Sequence, residues 1–325
     1  MKVSVAMCTY NGSRFVREQL RSIAAQSRLP DELVVCDDRS TDATVEILEE
    51  FAVKVPFPVR IIVNSENMGS TRNFEKAISI CRGDVIVLTD QDDSWCVNRL
   101  QVTEIVLKQR PDVGAVFADA YIVDKDLKPL GYNLWKAVQF NRRLKCQVEE
   151  GNAFEALLAH NFVTGATMAF RAEFRALIIP IPALWVHDGW IAIIISAFAN
   201  VACIDQPLIQ YRQHSCQQLG ARRQSMVARI ASTQALDNRV NYRQMPEQFR
   251  CVFERLKETA GYEVPQRLKD LLQEKIRHMS QRAILPKSHL RRLSPIAGEL
   301  VSNRYRRFGY GWKGVLRDLL VNLDG

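Results

Sequence analysis

The chain opens with apolar, β-branched segments that alternate with segments whose apolar residues recur at helical spacing. Val16, Leu20 and Ile23 show that spacing directly after the first β-branched segment. Strands that alternate with helices in this way are typical of a doubly wound α/β domain with a mainly parallel sheet. The predicted strands cover residues 2–7, 32–36, 59–63 and 84–89.

The pattern becomes mixed after Gly114 and changes again near Cys216. The middle of the chain predicts strands at 113–117 and 201–202, with helices near 153–159 and 190–198. Beyond Cys216 the sequence is helical, basic and poor in strands. We therefore predict one α/β domain over residues 1–215 and a basic helical C-terminal region over 216–325.

Composition excludes several classes of protein. With 47% apolar residues in 325, the chain can bury a full core. Its eight cysteines lack paired C-x-x-C spacing and no signal peptide opens the chain, which favours reduced thiols and a cytoplasmic location. The most apolar run, 190–199, falls short of the roughly 20 residues that cross a bilayer, so we expect no transmembrane segment.

The net charge of +8 is unevenly distributed. Residues 1–211 contain 22 Lys and Arg against 26 Asp and Glu, whereas residues 212–325 contain 22 against 10. An acidic part joined to a basic one favours an anionic partner for the C-terminal region: a lipid surface, nucleic acid or a diphosphate.

Asp90, Asp92 and Asp93 form the strongest chemical signal, directly after the fourth predicted strand. Carboxylates gathered at one place repel one another unless a cation or hydrogen-bond donors compensate them. Hard oxygen ligands of this kind suit Mg²⁺ or Mn²⁺ on a diphosphate. The alternative is an acidic turn that is only solvated.

Two further clusters follow strand ends or turns. Helix capping explains Ser40 and Asp42 but not the doubled Asp37-Asp38, which could accept hydrogen bonds from a base or ribose. Arg72 lies where a forked guanidinium could bind a phosphate, or it is a plain surface arginine.

Four motifs occur in order: V-S-V-A-M-C-T-Y-N-G, V-V-C-D-D-R-S-T-D, N-M-G-S-T-R-N and V-L-T-D-Q-D-D-S-W. In this combination residues 1–215 resemble family 2 of the glycosyltransferases. The resemblance implies a Rossmann-like glycosyltransferase A fold that binds a nucleotide sugar and a divalent metal. One departure is Arg39, where the family commonly has glycine after the paired aspartates.

The resemblance also implies roles for individual residues. Asp188, in V-H-D-G-W, would be the general base, although an aspartate at a helix start is also a common cap. The nucleotide sugar would contact Thr9, Tyr10, Asn11, Asp37, Asp38, Arg72, Asp90 and Arg212. The metal, Mg²⁺ or Mn²⁺, would be bound by Asp90, Asp92, Asp93 and His214. The acceptor side would comprise Gly165, His187 and Trp190.

The final segment, 304–323, interleaves basic and aromatic residues, among them Tyr305, Phe308, Tyr310 and Trp312. This mixture suits an anionic membrane interface, and equally a terminal helix packed on the enzyme.

The function that these expectations describe is an inverting, metal-dependent sugar transfer from a nucleotide-diphosphate donor to a hydroxyl of a cell-surface glycan. The H-D-G-W spelling resembles rhamnosyltransferase-type members of the family, which implies a dTDP-linked rhamnose donor. A lipid-linked acceptor would explain peripheral attachment to the inner face of the membrane. The alternatives are a sugar-1-phosphate nucleotidyltransferase and a nucleotide- or nucleic-acid-binding module, although we expect no nucleic-acid partner. A dehydrogenase is disfavoured because no G-x-G-x-x-G follows the first strand.

Overall fold

The computed structural model describes residues 1–214, 238–259, 263–309 and 311–320. Its strands and helices follow one another in the alternation that the sequence predicts over the first ninety or so residues. The strands are β1 Val3–Thr9, β2 Glu32–Asp37, β3 Val59–Val63, β4 Val85–Thr89, β5 Ser94–Trp95, β6 Val113–Val123, β7 Pro129–Asn133, β8 Met168–Arg171 and β9 Asn200–Arg212.

Nine α-helices are described in residues 1–214. They are α1 Val16–Ala24, α2 Thr44–Ala52, α3 Ser70–Ile80, α4 Arg99–Gln109, α5 Leu134–Ala137, α6 Arg142–Glu149, α7 Ala153–Ala159, α8 Arg175–Ile178 and α9 His187–Ser196. Short 3₁₀ turns at Gly165–Thr167 and Ala172–Phe174 precede and follow β8.

The described strands form one sheet in the order β3-β2-β1-β4-β8-β6-β9-β5, with β7 paired to β6. The first four neighbours are parallel, and β6 and β9 are parallel as well. Between these groups β8 runs antiparallel to both β4 and β6. The expected α/β class with a mainly parallel sheet is confirmed.

Burial explains why the central strands are apolar throughout. Every residue of β1 and β4 is buried, as expected for strands covered by helices on both faces. The sequence did not predict β8, because four residues between two 3₁₀ turns carry too little periodicity.

The direction of β8 matters for the site. An antiparallel strand begins at the edge where its parallel neighbours end. Gly165, just before β8, therefore lies at the edge that receives the carboxyl ends of β4 and β6. In open α/β sheets this edge carries the functional loops.

The chain divides into two compact units, 1–153 with 162–222, and 154–161 with 223–325. The domain boundary that the sequence predicts at residue 216 lies outside the described residues. Most of α7 belongs to the second unit, and five further helices are described there: α10 Asn238–Glu258, α11 Gln266–Ala283, α12 His289–Val301, α13 Arg304–Phe308 and α14 Trp312–Leu320. Among the described residues, every helix is too short or too polar to serve as a bilayer-spanning segment.

The second unit has its own small core of Leu285, Ile296 and Tyr305. Tyr305 and Phe308 are each 1% exposed, which corrects the expectation that these two rings belong to a membrane-facing segment. Tyr310 lies outside the described residues.

Candidate active site

Asp37 joins the loop after β1 to the loop after β2. Its carboxylate accepts hydrogen bonds from the Thr9 hydroxyl at 2.7 Å and from the Ser40 backbone amide at 2.7 Å. Both Asp37 and Thr9 are buried, and a buried carboxylate needs such donors to be stable. Their side chains therefore shape the site from beneath, which corrects the prediction that they contact the nucleotide.

Asn11 fixes the spacing of the same two loops at the surface. Its φ of 45° is in the left-handed region that asparagine tolerates better than most residues. The side-chain oxygen accepts a hydrogen bond from the Thr41 amide, and the Asn11 amide donates to the Ser40 hydroxyl, both at 2.8 Å. The backbone amide and the side-chain oxygen of Asn11 are thus both occupied by protein partners.

Tyr10 is held through its backbone, while its ring is 48% exposed. The Tyr10 amide donates to Gln91 Oε1 at 2.8 Å, and Gln91 Nε2 donates back to the Tyr10 carbonyl at 3.0 Å. A Cβ on Gly12 would overlap the Gln91 amide. Sequence reasoning missed Gln91 and Gly12, whose signal was the glutamine inside an otherwise acidic motif.

Asp38 organises the turn before α3. It is 3% exposed and accepts hydrogen bonds from Asn64 Nδ2 at 2.9 Å, the Met68 amide at 2.8 Å and the Gly69 amide at 2.9 Å. A carboxylate offers about four acceptor positions, so one remains for a donor group on a ligand.

Arg72 lies in the first turn of α3, next to that turn. It is exposed, and its Nη1 contacts Glu75 Oε2 at 2.9 Å. The same Glu75 oxygen accepts the Ile181 amide at 2.7 Å. An exposed ion pair of this kind is weak, so the guanidinium can exchange its partner for a phosphate at little cost.

Asp92 and His214 are brought together by β9, although 122 residues separate them in sequence. Asp92 Oδ2 and His214 Nε2 are 2.7 Å apart, and both side chains keep partial exposure. The imidazole also stacks on Phe15 with ring centroids 4.6 Å apart. A carboxylate and an imidazole therefore face one point at the sheet edge.

Asp90 and Asp93 are crowded beside this pair. Burial, followed by the charges of Asp92 and Asp188, raises the pKa of Asp90 to about 7. Burial, followed by the charges of Asp92 and Asp90, raises the pKa of Asp93 well above its ordinary value. Positive charge at this point would relieve both carboxylates.

Arg99, in the first turn of α4, supplies part of that charge from within and was missed in the sequence. It is 2% exposed, donates to the Leu88 carbonyl at 3.0 Å and stacks over Trp95 at 3.9 Å. Burial lowers the pKa of Arg99 to about 9, against the opposing effect of Asp93 and Asp90. Its only signal was an arginine placed soon after a cluster of strand-end carboxylates.

Arg212 holds the end of β9 in place. Its Nε donates to the Asp92 carbonyl at 2.6 Å, its Nη2 contacts Glu18 at 2.5 Å, and its Nη1 donates to the Lys125 carbonyl. The residue is 2% exposed. These contacts correct the prediction that Arg212 binds a phosphate, because its guanidinium already bridges three segments of the protein.

Tyr211 is a buried residue whose pKa responds to the carboxylates of the site. Burial raises its pKa well above the ordinary value, and the charges of Asp93, Asp90, Asp92 and Asp188 act in the same direction. Three carboxylates from the loop after β4 and one from the start of α9 therefore act on the same side chain. The sequence analysis did not select Tyr211, although it lies beside Arg212.

Asp188 lies in the first turn of α9 and is only partly buried. Its Oδ2 accepts the Gly165 amide at 3.1 Å, and its Oδ1 accepts the Gly189 amide at 2.5 Å. A Cβ on Gly165 would lie 2.7 Å from His187 Nε2. His187 therefore requires glycine at this position, and the role of Gly165 on the acceptor side stays a prediction.

His187 and Trp190 are core residues, which corrects their assignment to the acceptor side. The His187 ring is buried and stacks on Phe74 at 4.1 Å, and burial lowers its pKa. Trp190 is fully buried and its Nε1 donates to the Ile178 carbonyl at 2.7 Å. Together they fix the start of α9, and with it Asp188.

The donor atoms at the sheet edge fit a divalent cation that a diphosphate completes. Within the described residues, no three His, Cys, Asp or Glu side chains form a ready-made metal cluster. Asp93 Oδ1 accepts a hydrogen bond from the Arg212 amide at 3.0 Å, and its buried Oδ2 lacks a hydrogen-bond partner among the described residues, so Asp93 stays a predicted ligand. Asp92 and His214 remain as well, with Asp90 beside them; Mg²⁺ is commonly held by one or two carboxylates plus substrate phosphates.

Comparisons with known proteins identify the family of the chain. The model of the family described as Glycosyl transferase family 2 matches residues 4–176. An uncharacterized protein of Mycobacterium tuberculosis (strain ATCC 25618 / H37Rv) is 26% identical over 222 residues, which are 66% of this chain and 59% of that relative. The dTDP-rhamnosyl transferase RfbG of Shigella flexneri is 34% identical over 99 residues, 29% of this chain and 34% of the relative.

Two solved structures share the fold. TarS 1–349 of S. aureus, in complex with UDP-GlcNAc, has a TM-score of 0.60 at 16% identity and covers 98% of this chain and 88% of its own. Mannosyltransferase PcManGT from Pyrobaculum calidifontis, in complex with GDP-Man and Mn²⁺, has a TM-score of 0.55 at 17% identity, covering 99% and 87%. The family model spans more than half of the chain and both neighbours have the glycosyltransferase A fold; the chain therefore belongs to glycosyl transferase family 2.

Proposed function

We propose that this enzyme transfers a sugar from a nucleotide-diphosphate donor to a glycan hydroxyl with inversion at the anomeric carbon, and that it needs Mg²⁺ or Mn²⁺. The observation that carries the proposal is the 2.7 Å pairing of Asp92 with His214 at the sheet edge, together with the charge of Asp188 that helps to raise the pKa of the neighbouring Asp90. A base and a cation-binding pair at one place suit displacement of a diphosphate by an activated hydroxyl.

The donor occupies the carboxyl ends of β1, β2 and β4. The exposed ring of Tyr10 offers an apolar surface, and the open acceptor position of Asp38 can receive a base N–H. Arg72 can pair with a phosphate in place of Glu75. Asp92 and His214, with Asp90, would hold the metal, which when bound offsets charge on the leaving diphosphate.

Asp188 is the general base. It removes the proton of the acceptor hydroxyl as the new glycosidic bond forms. Its two oxygens are oriented by the Gly165 and Gly189 amides, so the carboxylate needs little reorganisation when the acceptor arrives. A single displacement on the face opposite the diphosphate inverts the anomeric configuration.

The donor sugar is proposed to be rhamnose carried by dTDP. The support is the alignment with a dTDP-rhamnosyl transferase over 99 residues, whereas the two structural neighbours were solved with UDP-GlcNAc and GDP-Man. A panel of nucleotide sugars, tested by thermal shift with Mn²⁺ or Mg²⁺, decides the donor because a true donor binds only the native state.

The acceptor is proposed to be a lipid-linked cell-surface glycan, met by a cytoplasmic enzyme attached peripherally to the inner face of the membrane. The exposed apolar residues of the second unit support this attachment.

Replacing the base tests the mechanism. Asp188→Asn should lower kcat by about 10²–10⁴-fold, the range for a lost general base, with donor affinity retained. The Asn amide oxygen can still accept the Gly165 hydrogen bond, so the loop stays in place. Initial rates of nucleoside-diphosphate release with acceptor, and donor Kd by calorimetry, measure the two effects.

The exposed Asp205 supplies the control, since Asp205→Asn should leave both quantities unchanged. Lost donor affinity in Asp188→Asn would remove Asp188 from the role of base. Pyrophosphate released from a nucleoside triphosphate would identify a nucleotidyltransferase instead. Salt-dependent RNA or DNA binding without any transfer would identify a nucleic-acid-binding module.

A further inference from the structure

Helix α12 carries an exposed apolar stripe. Its members recur at helical spacing, and Leu290 and Val301 at its two ends are 80% and 89% exposed. The opposite face of the helix contributes the buried Arg292, Ile296 and Glu299. The stripe consists of Leu290, Leu293, Ala297, Leu300 and Val301.

Helix α14 carries a second stripe of the same kind. Trp312, Leu316 and Leu320 are four residues apart and exposed, with Trp312 at 59%. Its buried residues, Gly314 and Asp318, lie on the other side of the helix.

The two helices that carry these stripes are bonded to each other. His289 Nδ1 is 2.6 Å from the Leu319 carbonyl, and Arg292 Nη1 donates to the Asp318 carbonyl at 3.0 Å. The start of α12 is thus held against the end of α14. We call the two stripes together the α12–α14 surface.

The charge around this surface has one sign. Arg291, Arg306 and Lys313 are exposed in residues 284–320. The two acidic residues of that stretch, Glu299 and Asp318, are buried and paired inside the unit.

We propose that the α12–α14 surface docks on an anionic lipid bilayer. Apolar stripes with basic flanks and a tryptophan match the boundary between acyl chains and anionic headgroups. A second copy would bring the same basic flanks against each other in a self-complementary interface, and like charges would oppose it. The proposal rests on the proposed function, because a lipid-linked acceptor gives docking its purpose.

Vesicle co-sedimentation of the full chain tests the docking. We expect the enzyme to bind vesicles of phosphatidylcholine with phosphatidylglycerol and to leave pure phosphatidylcholine vesicles in solution. Arg291→Glu with Lys313→Glu should weaken binding by about tenfold or more, since each basic residue near an anionic surface contributes measurably. Leu293→Ser with Leu316→Ser should weaken it comparably, without a change in thermal unfolding.

Val53 and Lys54 supply a matched control in the first unit. Val53 is 84% exposed and Lys54 adjoins it, so Val53→Ser with Lys54→Glu changes the same residue types on another surface. The control should bind vesicles like the parent enzyme.

Three results would overturn the proposal. They are equal binding to both vesicle types, surface variants that bind like the control, and a dimer that Leu293→Ser with Leu316→Ser dissociates in the absence of vesicle binding. RNA capture in place of vesicle binding would overturn it too. Donor thermal shifts should be the same in all these variants, and Asp188→Asn should still bind vesicles, so failure of docking and failure of the proposed transfer are distinguishable.

Discussion

At the scale of the residue, Asp188, the proposed base, is positioned by the backbone amides of Gly165 and Gly189. The Gly165 amide donates to Asp188, and Gly165 lies directly against His187. The buried His187 ring stacks on Phe74. A methyl group at Gly165 has no room unless the loop or His187 moves. Displacement of a catalytic group by about 1 Å can cost roughly 10²-fold in rate.

Gly165→Ala should therefore lower kcat by about 10²-fold with donor Kd unchanged, because the donor residues lie on other loops. Steady-state kinetics and calorimetry separate the two. Gly298→Ala is the control: no atom lies within 4 Å of its added Cβ, and alanine should stabilise helix α12 by about 0.5–1 kcal/mol. An unchanged kcat in Gly165→Ala would mean that Asp188 is positioned without this amide.

Asp90 gives the site a pH dependence. Its folded-state pKa of about 7 is above the ordinary value of 3.8, so the folded protein binds more protons than the unfolded one between these values. The metal-free protein should therefore lose stability as pH rises from 4 to 7 through this group.

Asp90→Asn should raise the Tm of the metal-free protein by several degrees at pH 8 and have little effect at pH 4, where the carboxyl is protonated. Calorimetry at the two pH values measures this. Added Mn²⁺ should stabilise the parent at pH 8 more than the variant. A variant whose Tm falls at pH 8 would contradict the raised pKa.

At the scale of the element, the β2–α2 loop accounts for the departure of this chain from the family motif. Arg39 has a φ of 65°, where a side chain costs roughly 1–2 kcal/mol and glycine costs none. The sequence shows the departure because the family commonly has glycine at this position. The positive φ of Arg39 explains why glycine is favoured there.

Arg39→Gly should raise the free energy of unfolding by about 0.5–1 kcal/mol, because relief of strain exceeds the entropy that glycine adds to the unfolded chain. Urea denaturation measures it. Arg82, an exposed arginine without positive φ, is the control, and Arg82→Gly should destabilise. Equal effects of the two changes would show that Arg39 carries no strain.

Several residues of the candidate site could be predicted from the sequence because they directly follow strands. Asp38 and Asp92 follow buried strands, and the rule that parallel strands end at one edge brings them together. His187 and Trp190 were misassigned because burial depends on packing against Phe74 and Ile178, which sequence spacing does not encode. Arg99 and Tyr211 were missed for the same reason, since their charge environment exists only after β4 and β9 meet the carboxylates.

At the scale of the whole molecule, the second unit depends on a buried ion pair. Asp318 is fully buried and accepts Arg282 Nε at 2.7 Å, Arg282 Nη2 at 2.8 Å and the Tyr305 hydroxyl at 2.6 Å. Removal of one member of such a pair leaves the other charge buried without compensation, which costs about 3–5 kcal/mol.

Asp318→Ala should unfold the second unit at lower temperature and leave donor binding to the first unit intact. Trp312 is the one tryptophan of the chain in the second unit, so its fluorescence reports that unit in a variant whose other four tryptophans are changed to Phe. Asp270→Ala, an exposed aspartate of α11, controls for loss of charge in the same unit. An unchanged transition at Trp312 would show that the pair is dispensable.

The reversed direction of β8 has a consequence for how such enzymes diversify. The direct contacts proposed for the donor come from Tyr10, Asp38 and Arg72, whereas the loop entering β8 and the start of α9 supply residues 165–188 from a later part of the chain. Exchange of that later stretch between relatives should therefore redirect which hydroxyl is glycosylated while the same sugar is still delivered. Recombination between relatives could thus produce enzymes that form new glycosidic linkages with the same sugar donor.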